Sequence, residues 1–497
     1  MRRRVPIAAI IALSIVLVAG FAIVRSPGSS EPRAERESVT DQPGEEARAE
    51  GKKEEYEEQA EAVQEHLEAA AEAKADGTFG KRQRIRYLAA APAAGWRGEV
   101  PFDPTVDDWE PAVAADPHTP NVYVLATHFG DKPCSGNCPV PWMALRISQD
   151  GGQSFGPLRP LCACKGSWQY DPEIEVVDNT GAVYAAYLNG FNTVFLKSTN
   201  QGRTWSPPVK VYGNVSWTDK PVLATSADGR DVYISWNGPN GGDPWMSVSH
   251  DFGATWTQTQ LVDSTRYFFA YDADVLPNGN VVFSESSIDY SGTGGSAVGV
   301  VEHRAFVSTN AGASWTNILV DTVPVGEPCT AEGCGSDFYL GHSAVSSDAS
   351  GNLVYVYDGA TVDQGPQTIW ARRSTDGGLT WSARTALSVA GEEATSPTVE
   401  GLGGGDFRSW YMQTAGGNVD AWNVWYRTSS NGGSTWSAPV KISDAASGAS
   451  YKTPQGFLEV YGDYGEIAIT NTGKTVGVWG EGTSYNGPGG VWINVQS

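Results

Sequence analysis

An all-β fold of seven repeated four-stranded sheets is predicted by three features of this 497-residue sequence. The 58 glycines and 29 prolines punctuate the chain every ten residues or so, which leaves no long apolar stripe at helical spacing. A turn-like octapeptide recurs six times, and seven pairs of short β-like runs accompany it. With 18% charged and 11% aromatic residues, the main body is neither disordered nor a coiled coil. A net charge of -23 would repel a phosphate backbone, so nucleic acid is excluded as a partner.

The chain opens with three arginines in Met1 to Arg4, followed by twenty uncharged residues from Val5 to Val24. That run spans roughly 30 Å as a helix, one hydrocarbon core. Its positive flank keeps the amino end in the cytoplasm, so residues 1–25 read as a membrane anchor with everything later outside. A cleaved signal peptide, with Gly20-Phe21-Ala22 as the small-x-small site, is the competing expectation and would make the protein secreted. Residues 26–80 combine a Pro, Ser, Gly and Glu linker with an Ala, Glu and Lys segment from Glu45 to Ala75. The latter predicts an acidic helix ended by Asp76-Gly77, a charged spacer or a weak coiled-coil stalk. The remaining unit, residues 81–497, carries 24 basic and 41 acidic residues and is acidic by itself.

Cys134, Cys138, Cys162, Cys164, Cys329 and Cys334 all follow the apolar run. Outside the cell this even count predicts disulfides: the first four cross-paired, because a Cys162–Cys164 ring would be strained, and Cys329 with Cys334. Zinc is the alternative, without the spacing of a zinc ribbon or any HExxH motif.

The octapeptides are SQDGGQSF from Ser148, STNQGRTW from Ser198, SHDFGATW from Ser249, STNAGASW from Ser308, STDGGLTW from Ser374 and SSNGGSTW from Ser429. In each, Asp or Asn can accept the turn's N–H groups, Gly supplies a positive φ, and the closing aromatic forms an apolar plug. The runs PAVAA/NVYVLA, EIEVV/AVYAAYL, PVLATS/DVYISW, DADVL/NVVFSE, SAVSS/NLVYVY, PTVEG/FRSWYM and EIAIT/TVGVWG give seven units. The last unit has only three C-terminal strands, so Arg84 to Leu88 is expected to close it from the amino end.

The octapeptide resembles the Asp-box, or bacterial neuraminidase repeat, of the sialidase-like β-propellers, over about residues 100 to 497. The resemblance implies a propeller whose boxes, Asp150, Asp251 and Asp376 included, lie on peripheral turns between third and fourth strands. The run count makes it a seven-bladed β-propeller, with the six blades of true sialidases as the alternative. It further implies that inner strands begin, and second strands end, at the functional mouth of a central channel. There the chain offers Trp109-Glu110-Pro111, Tyr170-Asp171-Pro172, Trp217-Thr218-Asp219-Lys220, Tyr271-Asp272, His342 and Gly462-Asp463-Tyr464, with Glu285 on a second strand.

Three roles fit this ring of acids and aromatics. Two carboxyl groups of unlike pKa could hydrolyse a glycosidic bond while aromatics stack on sugar. Clustered oxygens could hold Ca²⁺ on the axis, with no other cofactor expected. Repeated acids could instead cap the strands by accepting backbone N–H groups. For an enzyme, Asp171, Asp219, Glu285 and Asp463 would include the acid/base pair, and Tyr464 with Glu285 would imitate a Tyr/Glu nucleophile pair. Lys220 and Arg266 would hold an anionic group, Trp109, Trp217 and Tyr464 would stack on sugar, and Glu110, Asp272 and His342 would complete the binding surface. The family's Phe-Arg-Ile-Pro signature is absent, which argues against a strict sialic-acid exohydrolase. The expectation is a membrane-tethered extracytoplasmic propeller that binds, and as an enzyme would hydrolyse, glycans. The alternative is a non-enzymatic scaffold for a protein or polysaccharide.

Overall fold

The octapeptide builds the same turn wherever it occurs. In the copy at Ser249, the Ser hydroxyl donates to Asp251 (2.8 Å) and accepts from Gly253 N (3.0 Å). Asp251 in turn accepts from Thr255 N (2.8 Å) and Thr255 Oγ1 (2.6 Å), which holds its carboxyl down at about 2. Asn310 reproduces the bonds, accepting from Ser314 N (2.9 Å) and donating to Ser314 Oγ (2.8 Å). A Cβ on Gly253, at φ +76°, would collide with the Phe195 ring of the preceding blade, so the turn is also a docking point. Asp251→Asn is therefore expected to unfold in urea within about 0.5 kcal/mol of the parent, whereas Asp251→Ala, which leaves the turn N–H groups without an acceptor, should cost about 1–2 kcal/mol.

In the computed structural model the described residues are 90–497 except 105–107, 131–132, 134–137, 162–166, 191, 293–296, 327–340, 417, 450–463 and 483–488. They form seven antiparallel four-stranded sheets. The inner strands are Asp108–Ala115, Gln169–Val176, Asp219–Thr225, Tyr267–Val275, Ser343–Ser347, Ala394–Gly401 and Glu466–Ile469. Every blade but the last runs inner to outer in chain order, and its octapeptide links the third strand to the fourth, as from Asp243–Ser249 to Thr257–Gln260. Seven apolar clusters fill the seven seams between neighbouring blades. The octapeptide tryptophans Trp205, Trp256, Trp315, Trp381 and Trp436 pack against five of them.

Seven blades match the count of β-like runs, but the closing strand differs from expectation. Val100–Pro101, paired with Ile493 and Trp492, forms the outer strand of the seventh blade. Two residues make too short a run to read as a strand in sequence, and Arg84 to Leu88 lies outside the described residues. So do the apolar run, linker and acidic segment of residues 1–80. Among the described residues no helix is long and apolar enough to cross a membrane. Cys138 is disulfide-bonded, and the other five cysteines fall outside the described residues.

Candidate functional site

Inner strands have no strand partner on their axial side, so their N–H groups need other acceptors. The chain meets this with carboxylates reaching from one blade to the next. At the mouth, Glu110 accepts from Asp171 N (3.2 Å) and Asp171 from Lys220 N (3.2 Å). One layer deeper, Glu466 accepts from Val113 N (2.6 Å), Glu173 from Leu223 N (3.5 Å) and Asp272 from Val345 N (3.0 Å). Deeper still, Asp274 accepts from Ser347 N, and Glu175 from Thr225 Oγ1 (3.2 Å). Acids two residues apart, as in Glu173/Glu175 and Asp272/Asp274, share the axial face because strand side chains alternate.

A register shift kinks most inner strands at the mouth. In four of them the kink holds a non-glycine residue at positive φ immediately before a proline: Glu110, Asp171, Lys220 and Ser396. The proline removes one N–H that the kink would strand in the channel. Left-handed backbone at four such positions is strained, and at Asp171 and Lys220 an interblade carboxylate that accepts from the backbone N–H helps to hold it.

The axial cavity is about 770 Å³ and runs from Tyr271, His342, Ser396 and Tyr464 at the mouth to Ala227, Gly279 and Leu402 at the far end. Among the described residues that line it there is no Lys or Arg. Burial without a counter-charge pushes Asp272 and Glu466 up to about 8 and Asp274 to about 6. Asp171, Glu173, Glu175 and Glu400 are raised as well, first by burial and then by neighbouring carboxylates.

Aromatic rings rim the mouth in two groups. Trp109 lies 4.6 Å from Phe129 and 6.3 Å from Tyr170, with half-buried Trp168 and Trp217 against the same cluster. Opposite in sequence order, Tyr267 and Phe269 (4.6 Å), Phe269 and Tyr271 (6.3 Å), and Tyr271 and His342 (5.3 Å) make a continuous row. Lys220 Nζ sits 5.7 Å from the Phe269 ring centre, in the second group.

The candidate residues separate accordingly. Glu110, Asp171, Asp272, Lys220, His342 and Tyr464 stand at the mouth or in the channel, with half-buried Trp217 on the rim; Trp109 is a correction, since at 3% exposure it is packed beneath Phe129, Tyr170 and Trp217 and offers no face to a sugar. His342 Nδ1 is 2.9 Å from Asp358, which also accepts from Thr395 (2.9 Å). Asp463 is outside the described residues. Arg266 is a correction: it donates to Ser287 Oγ, Ser287 O and Val300 O and pairs with Glu302, so its fork is committed to holding blade four. The Tyr464 and Glu285 pairing is another. Burial and then Asp171, Glu110, Glu173 and Glu466 raise the Tyr464 hydroxyl, whereas Glu285 accepts from Ser235 (2.7 Å) in the seam of blades three and four. Sequence reasoning missed Glu173, Glu175, Asp274, Glu400 and Glu466; the period-two acids of EIE and DAD were the available signal.

No family model matches the sequence, and no curated protein matches it. Solved structures do. An unknown-function protein from Dyadobacter fermentans is 12% identical, covering 82% of this chain and 98% of its own, with a TM-score of 0.45. A polysaccharide lyase, an ulvan lyase of family PL25 bound to a GlcA-Rha3S fragment, is 10% identical over 82% and 94%, with a TM-score of 0.47. The intramolecular trans-sialidase from Ruminococcus gnavus is 12% identical over 78% and 94%, with a TM-score of 0.39.

Proposed function

We propose that this chain is a membrane-tethered extracytoplasmic propeller that binds a neutral glycan across its mouth. The supporting observation is the aromatic rim above an acid-lined channel in which no described Lys or Arg lines the wall. Sugar rings stack on Trp217, Trp168 and Tyr271, and their hydroxyls meet carboxyl groups that donate when protonated and accept when ionised. A sialate or uronate would find no Lys or Arg among the described residues of the channel wall to pair with, and Arg266 is committed to blade four.

Binding is favoured over hydrolysis because the mouth and channel acids accept backbone N–H groups of the next blade. Asp219 and Glu285 escape that pattern, but at 0% and 1% exposure neither reaches a sugar. Trp217→Ala in the full-length chain is expected to weaken binding of neutral oligosaccharides roughly 10- to 30-fold by calorimetry, the loss of one well-packed aromatic anchor. Aryl glycosides should show no turnover. Turnover of any of them would replace the binding reading with a hydrolase.

A further inference from the structure

Three acids from distant parts of the chain meet where the amino-terminal segment closes the ring. Glu99 immediately precedes Val100–Pro101, the outer strand of blade seven. Asp444 follows Val440–Lys441, the outer strand of blade six, and Glu481 stands near the end of Thr475–Gly482, the second non-terminal strand to be built in blade seven. One oxygen of each lies within 4.8 Å of the other two. Among the described residues this is the one group of three metal-binding side chains so gathered.

Packing holds the group in place. Glu481 is 4% exposed, and its Oε2 accepts from Trp479 Nε1 (3.1 Å). Trp479 belongs to the apolar cluster between blades six and seven, and residues two apart on a strand share a face, so Glu481 is turned to that seam. Glu99 Oε1 accepts from Asp444 N. Glu99 Oε2 is closed to solvent, and no hydrogen-bond donor of the described residues reaches it. A buried oxygen in that state is costly, more so when charged. Burial, then the charges of Glu481 and Asp444, push the Glu99 carboxyl well above the ordinary carboxylate range, and burial raises Asp444 too. Lys441, whose charge acts on Asp444 while its Nζ donates to Ala445 O (3.1 Å), supplies one positive charge for three acids.

We propose that Glu99, Asp444 and Glu481 form a Ca²⁺ site that fastens the amino-terminal strand to blades six and seven. Ca²⁺ takes oxygen ligands at about 2.3–2.6 Å, so opposite ligands of one ion stand roughly 4.6–5.2 Å apart. The spread of these three oxygens is that of a set sharing one ion. Carboxylate donors alone select a hard cation over zinc or copper, and water completes the irregular shell that Ca²⁺ accepts. With Lys441, a divalent ion balances the three carboxylates. The proton that Glu99 otherwise keeps, shared with Glu481, is what the ion displaces. The site stands independently of the glycan reading.

The test is calcium titration of the full-length chain after EDTA, by thermal unfolding at fixed pH and by calorimetry in buffers of different ionisation enthalpy. Expected are one binding event, a Tm that climbs with calcium concentration, and release of up to about one proton per ion. Glu99→Gln keeps an acceptor for Asp444 N, so its Tm in EDTA should be no lower than the parent's. It should nevertheless lose roughly tenfold or more in calcium affinity, and the proton release with it. Glu481→Gln should weaken calcium binding to a similar degree, while Asp272→Asn in the channel keeps the whole response. Absence of any calcium heat and Tm shift in the parent overturns the proposal. So does a calcium response that survives both Glu99→Gln and Glu481→Gln, or one lost only in Asp272→Asn, which would move the ion to the channel.

Discussion

At pH 5 in EDTA the protein is expected to unfold at a temperature roughly 5–10 °C higher than at pH 8, the reverse of what an ion-paired acidic protein would do. The sign follows from the channel. Asp272 and Glu466 titrate at about 8 in the folded state and Asp274 at about 6, against ordinary values near 4 in the unfolded chain. Between those limits the folded protein holds more protons, so stability present below about pH 4 is lost as pH rises toward 8. Glu173, Glu175, Glu400 and Asp171 act in the same direction. The octapeptide aspartates act oppositely, since Asp251 is lowered to about 2, but only below about pH 4 and at exposed turns where solvent screens them. Asp272→Asn keeps an acceptor for Val345 N without the charge. It should raise the Tm at pH 8 and leave it nearly unchanged at pH 5. A Tm that is flat or rises from pH 5 to 8 would show that the channel acids are ionised and compensated.

The fold was more legible than the site because the two are written at different scales. Ser249, Asp251, Gly253 and Thr255 are a local device: every bond falls within six residues, so the motif survives in sequence and repeats with the blade. Counting β-like runs recovered seven blades because each inner and second strand is apolar on its seam faces, as in Val122–His128. The mouth is a different matter. Glu110 gains its meaning from Asp171 N, 61 residues on, and Glu466 from Val113 N, 353 residues back. Such pairings are set by ring closure, and no spacing announces them. The same holds for Arg266, whose sequence position suited a channel role while its guanidinium is taken by the Ser287 and Val300 carbonyls. Asp219 was singled out as a mouth carboxylate beside Lys220. That it is fully buried, with its charge acting on Asp171 of the preceding blade, is set by packing across blades that no spacing announces.

Removing the chain through Phe102 should lower the Tm by more than about 10 °C or drive aggregation, whereas a chain beginning at Ala90 should unfold like the full-length protein. The lost segment is short but closes the ring. Val100 and Pro101 cover the edge of Gly489–Val495 by pairing with Ile493 and Trp492. Phe102 is fully buried in the seam of blades seven and one, beside Val478, Val491 and Ile493, and its loss alone is worth about 3–5 kcal/mol. Its carbonyl also accepts from Arg146 of blade one, so that guanidinium would lose a buried partner. Trp96 adds an edge contact to Tyr426 at 5.0 Å and a bridge to Gln496, which fastens the segment across blades six and seven. Without these residues the seventh sheet has three strands and a bare hydrogen-bonding edge of Val and Ile, a template for pairing with another copy. The measurement is thermal unfolding with light scattering on the two truncations side by side. An unchanged Tm in the shorter one would mean that the seams alone close the propeller, and that the amino-terminal strand is dispensable.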